Sequence, residues 1–120
     1  MTLIVVSLIS GCTKDKGIVE ENYVLPDTVH FATDILPVFS AYCTTSGCHS
    51  GSTPAAALDL TPVKAYKGLF RKNHLEVDTV QPDLSVLYIE MNTEMPPSGK
   101  LSQYNIQLVY KWIQQKAKNN

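Results

Sequence analysis

Apolar positions along this chain recur at helical rather than strand spacings. Phe31, Ile35, Val38, Phe39 and Tyr42 share one helical face. Thr33 is placed to cap that helix, and Pro37 falls in its first turn, where no intrahelical donor is lost. Leu84, Leu87, Tyr88 and Met91 form the buried stripe of a second helix, from about Asp83 to Met91. The clearest run is the last: Ile106, Val109, Ile113 and Ala117 line one face, with Trp112 flanking it. Ser102 supplies its N-cap, Leu101 and Ile106 occupy the staple positions, and Lys111, Lys116 and Lys118 suit the C-terminal end of the dipole.

The intervening segments are shorter. Ser50 to Pro54 is a turn-rich loop. Leu58-Asp59-Leu60-Thr61-Pro62 leads into a short helix capped by Thr61, with Pro62 at its first position and Gly68 as its stop. Arg71-Lys72-Asn73-His74 reads as a solvated turn. No convincing strand alternation and no internal repeat is present. The pattern predicts an all-α domain of four or five short helices.

The N-terminus is of another kind. Met1 to Gly11 carries no charge, and Leu3-Ile4-Val5-Val6, Leu8 and Ile9 precede Ser10, Gly11 and Cys12. Such a run ending in small residues has the form of a secretion signal. Leu8-Ile9-Ser10-Gly11-Cys12 resembles the lipobox of bacterial lipoproteins, which implies acylation of Cys12 and a membrane anchor. Residues 12–28 mix charged and turn-forming residues without helical period, as a flexible tether would. The folded domain is expected over residues 29–120.

Composition narrows the function. The 120 residues carry ten Lys plus Arg against eleven Asp plus Glu, which argues against a basic nucleic-acid footprint. No apolar stretch reaches the length of about 18 residues required of a membrane span. Lys64, Lys67, Arg71 and Lys72 form the one local basic cluster, read as a solvated face rather than a docking patch. No phosphate-cradling loop and no serine–histidine–acid arrangement marks an enzyme. A domain of about 90 residues is small enough that a staple, metal or cofactor commonly completes it.

The candidate for that role is Cys43-Thr44-Thr45-Ser46-Gly47-Cys48-His49. Two thiols on a short polar loop stand beside an imidazole. A c-type haem uses that set: the thiols add across two vinyl groups and the histidine reaches the iron. Two other readings fit the same residues. Cys43 and Cys48 form a disulfide in an oxidising compartment, or they join His49 in a zinc site, for which only His30 and His74 remain as further histidines.

Cys43, Cys48 and His49 resemble a long-spaced variant of the cytochrome c attachment motif. Met95-Pro96-Pro97-Ser98-Gly99, leading into a helix with Trp112-Ile113, resembles the distal side of small bacterial cytochrome c domains. The resemblance covers roughly Val29 to Ala117. It implies a small cytochrome c-like fold around one covalent haem c, with His49 as proximal ligand. Met95 would be the distal ligand on a loop stiffened by its prolines, with His74 and His30 as rival distal ligands. Met91 reads as core filler. The chain is then expected to be a lipid-anchored electron carrier of the bacterial envelope, facing the periplasm or cell surface and serving redox protein partners. A haem enzyme or ligand sensor, peroxidase-like or gas-binding, is the alternative; it would keep the distal position open.

Overall fold

A computed structural model describes residues 22–120. The expected signal at Met1–Gly11, the lipidation residue Cys12 and residues 13–21 lie outside the described part. The described residues are mostly helical, with four α-helices among them: α1 Leu36–Tyr42, α2 Ala65–Leu69, α3 Val86–Thr93 and α4 Gln103–Gln114. A hairpin of two short strands, β1 Phe70–Arg71 and β2 His74–Leu75, interrupts them, pairing Phe70 with Leu75 and Arg71 with His74.

The first helix begins earlier and more widely wound than its sequence implies. A π-helical turn at Phe31–Ile35 runs straight into α1. Thr33 is exposed and does not cap it. Asn120 takes the first free donors instead, its Oδ1 accepting the N–H of Phe31 at 3.0 Å and its carbonyl that of Ala32 at 2.9 Å, while Asp34 reaches back to accept the N–H of His30 at 2.7 Å. Phe31, Ile35, Val38 and Phe39 are buried as expected, whereas Tyr42 is 45% exposed.

Helix α4 follows its pattern closely. The Ser102 hydroxyl accepts the N–H of Asn105 at 3.2 Å, and Leu101 and Ile106 are both buried at the helix entrance. Trp112, flanking that stripe, is itself completely buried, as is Leu108, so the buried face is wider than the stripe; the ring neighbours of Trp112 are Phe31 at 5.1 Å and Tyr66 at 6.4 Å. Ala117 is buried beyond the helix end, where Lys116 (φ 72°) and Ala117 (φ 44°) turn the chain in the left-handed region.

Long-range hydrogen bonds tie the C-terminal end of the domain to the rest. Gln115 Oε1 accepts the N–H of Val29 at 2.9 Å, while its Nε2 donates to the Asp27 carbonyl at 2.7 Å. The Tyr66 hydroxyl donates to the Ala117 carbonyl at 2.9 Å. Within the stretch read as a tether, Tyr23 lies edge-on to Tyr104 at 5.6 Å and Leu25 packs on the core.

Helix α2 also departs from expectation. Thr61 is no side-chain cap: its N–H and hydroxyl both donate to Asp59 Oδ1, at 3.0 and 2.6 Å. Gly68 lies inside the helix rather than after it. A β-carbon there would meet the Asp59 carbonyl oxygen at 3.1 Å, so glycine is what allows the helix to lie so close to the Leu58-Asp59 backbone. The segment read as a solvated turn is the hairpin, with Asn73 (φ 72°) at its tip.

Candidate functional site

Helix α1 delivers the cysteine loop. Cys43 is its C-cap, with its N–H on the Phe39 carbonyl at 2.8 Å, and Thr44 donates to that carbonyl at 3.1 Å. The four residues between the cysteines then fold into a turn. Cys48 N–H reaches the Thr45 carbonyl at 2.9 Å, and Gly47 supplies the left-handed φ of 82°. His49 N–H returns to the Cys43 carbonyl at 3.0 Å. One loop thus carries Cys43, Cys48 and His49, its backbone closed by an ordinary turn.

Both cysteines carry free thiols and are half-buried. Burial, with the neighbouring Cys48 as a lesser cause, pushes the Cys43 thiol up to about 11. It is therefore a protonated S–H at neutral pH.

The imidazole is the best-defined part of the site. His49 Nδ1 lies 3.1 Å from the Ala55 carbonyl and 3.1 Å from the Leu58 carbonyl. Carbonyl oxygens only accept, so Nδ1 carries a proton, and in the neutral ring Nε2 is then the nitrogen with the lone pair. Metal-binding histidines commonly have one ring N–H held by a carbonyl in this way. The loop supplying these acceptors is tied down at both ends: Ala55 N–H bonds the Cys48 carbonyl at 2.9 Å, and Leu60 N–H bonds the His49 carbonyl at 2.8 Å. Within it, Ala56 (φ 52°) and Ala57 (φ 54°) are both left-handed, which is strained for alanine.

Arg71, placed by sequence in a solvated basic cluster, belongs elsewhere. Its Nη1 donates to the Ala57 carbonyl at 2.6 Å and the Ala56 carbonyl at 3.3 Å. Its Nη2 pairs with Glu76 at 3.1 Å, both side chains being largely buried, and its Nε is buried without a partner among the described residues. Lys64 pairs with Asp59 at 3.0 Å. Lys67 and Lys72 are exposed.

Met95 lies on a separate loop, after α3, with its N–H on the Glu90 carbonyl at 2.8 Å. Its side chain is 37% exposed, whereas Met91 is 4% exposed within the core. Met91 packs in the core, as expected of it, and Met95 is partly open to solvent. Helix α3 is apolar nearly all round. Leu87 and Met91 face the core and Tyr88 meets Tyr110 at 4.5 Å, yet Val86 and Ile89 remain open to solvent. His74 is exposed on β2, and His30 Nδ1 is engaged by the Asn120 amide at 3.0 Å.

Among the described residues no three His, Cys, Asp or Glu side chains come together to hold a metal ion. The donor types that a haem c would use are present: two thiols and an imidazole with its Nδ1–H directed to carbonyls on one loop, and an exposed thioether on another. No family model, curated protein or solved structure matches this chain.

Sequence reasoning missed Ala55, Leu58 and Arg71. Two of these act through backbone carbonyls, which leave no mark in side-chain identity.

Proposed function

We propose that the chain is a single-haem c-type cytochrome carrying one electron at a time between redox proteins in the bacterial envelope. It would be held to the membrane through acylated Cys12. The observation that carries the reading is His49, directly after Cys48, with Nδ1–H committed to two carbonyls and Nε2 left as a ligand.

Haem c, when bound, supplies an iron that changes by one electron with its ligands retained. The residues of this chain divide the remaining work. Cys43 and Cys48 hold the ring by thioethers, so the cofactor is not lost outside the cytoplasm. His49 offers a neutral nitrogen, and the Ala55 and Leu58 carbonyls fix its orientation. Met95 offers a soft thioether, which together with imidazole favours the reduced state.

The test is a haem stain of the native protein on a denaturing gel, followed by a pyridine haemochrome spectrum. A stained band, lost in the Cys43→Ser/Cys48→Ser double variant, is expected. That variant should also lack a cooperative melt, since the small domain needs its cofactor. Colourless native protein would overturn the reading. Six-coordinate low-spin spectra accord with the carrier; a five-coordinate high-spin form would move the chain to the haem enzymes or ligand sensors.

A further inference from the structure

We propose that Arg71 is a positioning residue for His49, fixing the loop whose carbonyls orient the imidazole. The proposal rests on the haem reading and extends it to a side chain 22 positions beyond the histidine.

The loop Ala55–Leu58 has two faces. Inward, the Ala55 and Leu58 carbonyls meet His49 Nδ1. Outward, the Ala56 and Ala57 carbonyls meet the guanidinium of Arg71. The two residues between the inward carbonyls are left-handed alanines, a conformation that persists only where surrounding contacts hold it. Charge-assisted bonds from a largely buried guanidinium are contacts of that strength. Arg71 is in turn fixed by pairing with His74 across the hairpin and by the ion pair with Glu76. The forked geometry is needed, because one side chain serves two carbonyls and a carboxylate at once.

The chemical consequence is directional. An Nδ1–H bond to a carbonyl raises the basicity of the ring and favours the oxidised iron. If the loop relaxes, that bond weakens and the reduced form gains.

The experiment compares haem-loaded wild type with Arg71→Met, Arg71→Lys and Lys72→Met, reading the reduction potential and the ¹⁵N signals of the His49 ring. Arg71→Met should shift the one-electron equilibrium about tenfold toward the reduced form, equivalent to a rise of about 59 mV. Arg71→Lys retains the charge without the fork, folds, and should show part of the shift. Lys72→Met deletes an exposed charge next door and should leave the potential unchanged. Wild-type potentials and unchanged ring signals in both Arg71 variants would overturn the proposal while leaving the haem reading standing. If wild type proves colourless, the haem reading fails and the ring signals of the colourless proteins decide: a pure Nδ1–H tautomer in wild type that becomes mixed in the variants supports the role of Arg71, and identical spectra overturn it.

Discussion

The indole Nε1–H of Trp112 donates to the backbone carbonyl of Lys118 at 2.9 Å, so the C-terminal turn is latched by a residue from the last turn of α4. The Ala117 carbonyl in the same turn accepts the Tyr66 hydroxyl. Trp112→Ala removes a fully buried ring and this latch together, and should cost about 3–5 kcal/mol. Tyr66→Phe deletes one hydroxyl bond and should cost about 1 kcal/mol. Urea unfolding of the purified variants gives both values.

The two left-handed alanines make an opposite prediction. Glycine adopts φ near +50° without the β-carbon clash, so Ala56→Gly or Ala57→Gly should relieve strain. A gain of up to about 1 kcal/mol is expected, offset in part by the freer unfolded chain. A higher urea midpoint at an unchanged slope would verify it; destabilisation would mean that the strain is absent.

Met95 and Met91 provide a paired comparison. Met95→Leu should convert the haem from six-coordinate low-spin to five-coordinate high-spin and abolish sulfur-to-iron charge-transfer absorption, with little change in stability. Met91→Leu should leave the spectrum untouched and cost less than about 1.5 kcal/mol, as conservative core swaps do. Visible spectra and melting curves of the two variants distinguish ligand from filler.

The turn before α2 should respond to acid. Hydrogen bonds from Thr61 side chain and backbone, then from Lys64, hold the Asp59 carboxyl down at about 2. A depressed carboxyl contributes its stability above the ordinary value near 4 and loses it as pH falls toward 2. Asp59→Asn should therefore flatten the pH dependence of stability in that window. Chemical denaturation of both proteins between about pH 2 and 5 measures it.

Legibility in the sequence followed the range of the interaction. Helix α4 could be read from period and cap because Ser102, Leu101 and Ile106 act within one turn of each other. The cysteine loop could be read because three chemically distinctive residues are nearly consecutive. The period places Trp112 beside the stripe but does not reveal how far its large ring extends into the core, where it is fully buried. The hairpin was missed because strands of two residues are too short to alternate. Arg71 looked like one charge of a solvated run, since its partners Ala56 and Ala57 lie 15 and 14 residues away and contribute only carbonyl oxygens.

Gln115 bonds backbone groups 86 and 88 positions earlier, so nearly the whole polypeptide must be synthesised before its amide can find them. Contacts of such separation are entropically late, which makes joining the two termini a closing event in folding rather than its seed. A nascent chain stalled ahead of this glutamine would keep the apolar side of its opening helix uncovered, a ready target for chaperones and proteases.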